Sequence, residues 1–428
     1  MRGTVSVYDR MCWPEGELER ALAAGAHRRE LETWFGERVY RHLVQLACAA
    51  SAAARGSRER GAPVVYLIPG LLGSQLGYPR AATEPWDVLW VDATDIAQGH
   101  LMRLRRGARG AALRPLGALP HTYLALKLRL TAAGYRVVLH DYDWREDIAV
   151  SGAQLARRLG KEPAAHIALI GHSMGGLVAR AALGACEAHT ARRIGWLIGV
   201  GTPHGGSIGA VQALRATYPV VLRLAALDPR HSARTLSERV FHSFPSLYQM
   251  LPPIVDGLDL HQPRSWPSNG LRPAPRMLAA ARRVADSLPP ADARFVSIVG
   301  TSRRTVTGLF RVRGQFHYEV SNAGDGTVPA ARATLHGARD YSLACEHSEL
   351  PRSARVAAAV AELLRDNHTT QLRTGIHARA GTRVQVSDAQ LRRALGGKLD
   401  WERLSATERR RYLNELNAPP EIYQPSAR

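Results

Sequence analysis

A short apolar run, Ile167-Ala168-Leu169-Ile170, is cut off by Gly171-His172-Ser173-Met174-Gly175-Gly176, and the helix-compatible Leu177 to Leu183 follows at once. Apolar and β-branched residues bounded by glycine predict a buried strand, and the Ala/Leu/Val/Arg run predicts a helix. The turn between them must be so tight that Gly171 and Gly175, two residues either side of Ser173, cannot carry a Cβ without meeting the crossing backbone. Such a turn lifts the serine hydroxyl above the sheet edge, at a helix N-terminus where the dipole favours a developing negative charge. A chance G-x-S-x-G is the competing explanation in a chain with 38 glycines. The strand before it, the helix after it and the additional Gly176 set that explanation aside.

The rest of the chain repeats this strand–helix rhythm. Pro63 to Ile68 predicts a strand ending in the turn Pro69-Gly70-Leu71-Leu72-Gly73, and a helix is expected over Thr122 to Ala133. Tyr135 to His140 predicts the next strand, running into Asp141-Tyr142-Asp143-Trp144-Arg145 and a helix from Asp147 to Gly160. Ile194 to Val200, Phe295 to Gly300 and Arg339 to Cys345 predict further strands, with hairpin material over Thr305 to Val320 and a closing helix over Pro351 to Asp366. Alternation of this kind implies a mostly parallel sheet with right-handed crossovers. Between about 205 and 290 the rhythm is lost among prolines and apolar clusters, which suggests an inserted lid or cap.

Both ends look like helical additions. Residues 1–60 carry Pro14, suited to a first helical turn, then Leu18 and Leu22, and a stripe of Leu31, Trp34, Phe35, Val39, Leu43 and Leu46. Arg55 to Gly61 suits a linker into the main domain, 61–368. Residues 369–428 hold two capping boxes, Ser387-x-x-Gln390 and Ser405-x-x-Glu408, but no chemistry, so packing or docking of an unidentified partner protein is expected there.

At 428 residues and 45% hydrophobic composition a sizeable core is available. The net charge of +20 is almost wholly arginine, dispersed along the chain. An arginine-decorated surface or peripheral contact with an anionic membrane surface fits that pattern, whereas no nucleic-acid module is recognisable. Four single cysteines show neither C-x-x-C nor metal spacing, so no disulfide, metal or cofactor is expected. The opening residues carry no apolar signal region and no stretch is apolar enough to span a bilayer, which makes a cytoplasmic location the expectation, with signal-independent export left open.

A serine nucleophile needs a base and a group that orients the base. In α/β-hydrolase order the partners follow as Asp or Glu, then His. Asp325, in Asn322 to Pro329 after the penultimate strand, and His347, just beyond the last, are both expected at the strand ends where Ser173 emerges. Asp340 and His336 are rivals placed inside or before that last strand. The N–H groups of Met174 and Leu71 are candidates for an oxyanion hole, with Leu72 an alternative to the latter. His172 and His204 are expected around the serine rather than on the reacting atoms.

Taken together, PGLLGSQL, DYDWR, GHSMGG, TPHGGS, PSLYQMLP, GDGTVP and EHSEL resemble the lecithin:cholesterol acyltransferase family, which includes lysosomal phospholipase and phospholipid:diacylglycerol acyltransferases. The likeness spans about Pro63 to Asp366. It implies an α/β-hydrolase fold, Ser173 as acyl-accepting nucleophile completed by Asp325 and His347, and oxyanion donors at Leu71 and Met174. It also implies movement of a fatty acyl chain from a phospholipid or other lipid ester to an alcohol or to water. Asp143, Trp144 and Arg145 are expected to buttress the site, with an Arg–carboxylate contact among them. No signal sequence, lid cysteine pair or N-terminal span like those of the relatives is expected here, which bears on the acyl donor and acceptor. A carboxylesterase for soluble short-chain esters and an inactive partner-binding scaffold are the other two functions compatible with the sequence.

Overall fold

The strand Val64–Ile68 is buried at every residue and has parallel neighbours on both sides, Val137–Leu139 on one and Ile167–His172 on the other. The computed structural model describes residues 12–13, 16–55, 63–78, 86–107 and 112–425. Beyond Ile167–His172 the sheet continues through Ile194–Val200, Phe295–Thr301 and Arg339–Ala344, all parallel. Alternate side chains of each strand enter opposite layers, as the two-residue period of a strand requires. Val65, Leu67, Ala168 and Ile170 pack with Leu126 and Leu130 of helix Pro120–Ala132 and Val356 and Val360 of helix Ala354–Asp366. Tyr66, Ile68, Ile167 and Leu169 pack with Leu155 and Leu159 of helix Ile148–Gly160 and Val178 of helix Met174–Ala185. With helices on both faces the strands are apolar throughout, which is why they read as continuous runs. The architecture is an α/β-hydrolase fold.

Chain order fixes where a site can form. After Val64–Ile68 the chain goes to the edge strand Val137–Leu139, then returns to the other side for Ile167–His172. The order therefore reverses between two adjacent strands, and the crevice beyond their carboxyl ends is where such sheets bind ligands. The loop after Ile68 and the turn at Ser173 lie there.

Several elements depart from the sequence expectations. Residues 74–118 hold a small antiparallel sheet of Ser74–Tyr78, Asp87–Trp90 and Arg114–Ala118. The hairpin is longer than expected, Arg303–Val312 against Gln315–Gly324, so Asn322 to Gly324 belong to a strand and the loop begins at Asp325. Arg339–Ala344 is not the last strand of the sheet, because Arg373–Thr374 follows it and pairs with it antiparallel. The C-terminal segment also lends Val384–Ser387 to the hairpin and so is not wholly helical. Its helices Asp388–Leu395 and Ala406–Asn414 do open on capping boxes at Ser387/Gln390 and Ser405/Glu408.

Between 205 and 290 five helices form: Ile208–Leu214, Pro219–Leu227, Ala233–Arg239, Pro245–Gln249 and Pro275–Ser287. Pro219, Pro245 and Pro275 each occupy a first helical position, where the missing N–H costs nothing, and so start helices instead of breaking them. At the other end, Glu17–Ala24, Arg28–Phe35 and Glu37–Arg55 pack Leu22, Leu31, Phe35 and Leu43 against Leu124 and Leu128. Val39 is 45% exposed and Tyr40 is buried in its stead. Gly36, at φ 82°, ends one helix and resets the helical phase before the next. Pro14 and most of Arg55 to Gly61 lie outside the described residues. No helix among the described residues is long and apolar enough to cross a membrane.

Candidate active site

Ser173 joins strand Ile167–His172 to helix Met174–Ala185 with φ 54° and ψ −128°, a conformation non-glycine residues rarely hold. Backbone crowding holds it there. A methyl group on Gly171 would overlap the backbone of Gly176, and one on Gly175 would overlap the carbonyl oxygens of Ile68 and Pro69. On the other flank a Cβ at Gly70 would come within 2.8 Å of the Ser173 Cβ. The loop after the first strand and the serine turn are thus pressed together with no room for side chains between them.

Parallel pairing of Phe295–Thr301 with Arg339–Ala344 runs to the register Thr301 with Ala344, so both chains leave the sheet at the same level. There the His347 N–H donates to the Asp325 carbonyl at 2.9 Å, and His347 Nδ1 lies 2.7 Å from Asp325 Oδ2. The other carboxylate oxygen accepts from the N–H groups of Thr327 and Val328 at 2.9 and 2.7 Å. Asp325 is 1% exposed and His347 6% exposed, so this pair is shielded from water on most sides. Ser173 and His347 line one cavity of about 240 Å³. No hydrogen bond joins them among the described residues, an arrangement common before substrate binds. The rivals lie elsewhere: Asp340 is near the start of its strand and pairs with Ser297, and His336 is exposed ahead of that strand. Neither lines the cavity.

His172 ties the two halves of the site together. Its Nε2 lies 3.1 Å from the His347 carbonyl, which can only accept, so that nitrogen carries the proton. Its Nδ1 then accepts from the Tyr123 hydroxyl at 2.9 Å, and the Tyr123 oxygen accepts from the Gly70 N–H at 2.9 Å. Burial, together with the neighbouring His347 ring, holds the His172 pKa well below the usual imidazole range, so it stays neutral. Burial likewise pushes the Tyr123 phenol up, keeping its proton in place. One uncharged chain thereby runs from the loop of Gly70 to the backbone of His347. Sequence reasoning missed Tyr123, which reads only as an apolar position near the start of a helix.

Leu71, Leu72 and Met174 all border the serine turn. None of their N–H groups meets a protein acceptor among the described residues. Leu71 and Leu72 line the cavity, and Leu72 has φ 64° with its carbonyl held by Trp90 Nε1 at 2.8 Å. Asp143 and Arg145 form a two-pronged ion pair at 2.8 and 2.7 Å, while Arg145 also donates to the Leu104 carbonyl at 2.9 Å. Trp144 is fully buried, donating to the Ser74 carbonyl at 2.9 Å and standing edge-on to Trp90. None of the three lines the cavity. His204 does not line the cavity, and burial lowers its pKa to about 3. No group of three or more His, Cys, Asp or Glu side chains is placed to hold a metal ion among the described residues.

The remaining cavity lining is mostly apolar and has two main sources. Ala213, Val220, Phe241, Leu247 and Met250 come from the helices between 205 and 290. Leu413, Asn414, Leu416 and Asn417 come from the C-terminal segment, for which the sequence offers no chemistry.

Comparison with known proteins gives a partial match. Residues 140–219, which include the serine turn, match the family model of the PGAP1-like alpha/beta domain. No curated protein matches the chain. Among solved structures, the mature form of the Bacillus licheniformis lipase BlEst2 is 14% identical, covering 73% of this chain and 95% of its own, with a TM-score of 0.38. A chain of the Tle4–Tli4 complex is 14% identical over 72% of this chain and 99% of its own, with a TM-score of 0.41. The lin2722 product of Listeria innocua is 13% identical over 72% of this chain and 96% of its own, with a TM-score of 0.31.

Proposed function

We propose that the protein is a serine-dependent acyl hydrolase or O-acyltransferase acting on fatty-acyl esters, with Ser173, His347 and Asp325 as its catalytic residues. The observation that carries this reading is the 2.7 Å contact of His347 with a threefold hydrogen-bonded Asp325, on the cavity that Ser173 opens into.

In this reading His347 Nε2 takes the proton from Ser173 Oγ as the oxygen attacks the ester carbonyl carbon. Asp325 keeps the proton on Nδ1 and stabilises the imidazolium that forms. The carbonyl oxygen, now negative, lies against the N–H groups of Met174 and of Leu71 or Leu72, and each such donor is worth about 10²–10³ in rate. Collapse breaks the ester C–O bond, His347 returns its proton to the departing alkoxide, and an acyl-serine remains. Water or an alcohol then releases the acyl group by the same proton route in reverse. Methionine, leucine, phenylalanine and tryptophan around the cavity favour an acyl chain over a polar acid portion.

The motifs DYDWR, GHSMGG, TPHGGS, GDGTVP and EHSEL support relationship to the lecithin:cholesterol acyltransferase family, while the matching family model carries a different α/β description. A phospholipid or neutral-lipid donor is the substrate class this relationship favours. The deciding experiment incubates parent and Ser173→Ala protein with mixed lipid vesicles, with and without an added long-chain alcohol, and identifies the products. Free fatty acid or new ester from the parent alone supports the reading. Equal products from both proteins, or no lipid product from a folded parent, would overturn it in its mechanism or in its substrate.

A further inference from the structure

No Arg, Lys, Asp or Glu side chain lines the Ser173 cavity among the described residues. A chain as rich in arginine as this one has kept charge out of that space. Its lining includes Leu413, in the last turn of helix Ala406–Asn414, and Leu416 just beyond. Three residues apart, the two leucines share one side of an otherwise polar stretch, TERRRYLNELN.

This part of the lining is anchored. Arg223 Nη1 donates to the carbonyls of Glu415, Leu416 and Ala418 at 2.8, 2.8 and 2.7 Å, gathering the carbonyls left free past the helix end. Tyr412 donates to the Arg223 carbonyl at 2.9 Å. Asn417 is clamped on both sides, accepting from the Tyr218 hydroxyl at 2.6 Å and donating to Thr327 Oγ1 at 2.9 Å. Thr327 is the residue whose N–H holds Asp325. The C-terminal segment is thereby fastened both to helix Pro219–Leu227 and to the loop of the carboxylate.

We infer that Leu413 and Leu416 are specificity residues that set the length of acyl chain the cavity accepts, an inference that rests on the acyl-ester reading above. A tethered leucine wall acts as a stop, because extra methylenes must either displace it or remain in water. In a close-fitting apolar site one methylene shifts selectivity by about tenfold or more.

The test measures kcat/KM for 4-nitrophenyl esters from butyrate to palmitate on the parent, the Leu413→Ala/Leu416→Ala protein and the Leu416→Trp protein. Enlarging the wall should raise the dodecanoate-to-butyrate ratio about tenfold or more, and Leu416→Trp should lower it by a similar factor. Opposite shifts cannot arise from general misfolding. The same three walls are then placed on a Ser173→Ala background and titrated calorimetrically with fatty acids of four to sixteen carbons, which needs no chemistry. Chain-length preferences that move in opposite directions support the inference even where no ester is turned over, an outcome that would sink only the catalytic reading. Profiles that superimpose in the binding series, or no fatty acid binding at any length, overturn it.

Discussion

Ser173 and Leu416 border one cavity and are held in place by different means. Around Ser173 the constraint is backbone against backbone: glycines at 70, 171 and 175 let main chains touch, and Ser173 N–H donates to the Val200 carbonyl at 2.9 Å. Around Leu416 the constraint comes through side chains, Arg223 donating to backbone carbonyls and Tyr218 to the Asn417 side chain, across roughly two hundred positions of sequence. Crowded backbone leaves a local signature, since only glycine fits. Long tethers use residue types found anywhere on a surface. The same difference predicts that the serine side is intolerant of small changes, whereas the leucine wall yields to them.

The sharpest challenge to that contrast is on the serine side. Asp325→Asn should lower kcat about 10⁴-fold with the fold retained, because the amide no longer fixes the tautomer or stabilises the imidazolium. Steady-state rates together with circular dichroism check it, and a loss of only a fewfold would mean that the rim does not act through this carboxylate. Next in size is Gly175→Ala, one methyl placed against the carbonyls of Ile68 and Pro69. It should destabilise by about 3 kcal/mol, at the upper end for overpacking, read as the urea midpoint.

Acid should separate the two sides as well. Burial, with Arg158 adding to it, lowers the His140 pKa to about 4, and burial with His347 lowers that of His172. An unfolded imidazole titrates near about 6.5, so below that pH the unfolded chain takes up protons that the folded chain refuses. Stability is therefore full above about pH 6.5 and falls as pH drops towards 4, with about 2 kcal/mol lost through His140 alone by pH 5. Urea midpoints at pH 7 and pH 5 measure it, and an unchanged midpoint would show that these rings are not held neutral. The smallest effect belongs to the tethered wall. Asn417→Ala removes hydrogen bonds to Tyr218 and Thr327 and should cost about 1 kcal/mol, with hydrogen exchange rising over 406–418 before it rises at the serine turn.

What the sequence disclosed follows the same division. Continuous apolar strands and the glycine-bounded serine turn are local patterns dictated by steric limits. Both capping boxes were legible because a cap is settled within four residues. Within the stripe from Leu31 to Leu46 only Val39 is exposed, because the glycine at 36 shifts the helical phase. Strand Val384–Ser387 was hidden since its partner, Gln315–Gly324, lies about seventy positions earlier and pairing of that range has no local mark. Tyr123, Leu413 and Leu416 were invisible as site residues for a related reason. Their place in the cavity is decided by which elements pack together, and nothing adjacent in sequence records that.

The account turns on Ser173 being a nucleophile made reactive by its neighbours. The most direct measurement treats the parent, Ser173→Ala and His347→Ala proteins with an alkyl fluorophosphonate and locates the added mass by peptide sequencing. One adduct per parent chain is expected, on the hydroxyl of Ser173, with none on Ser173→Ala and sharply slowed labelling of His347→Ala. Labelling of Ser173→Ala at the parental rate, or a parent that stays unmodified while folded, would contradict it.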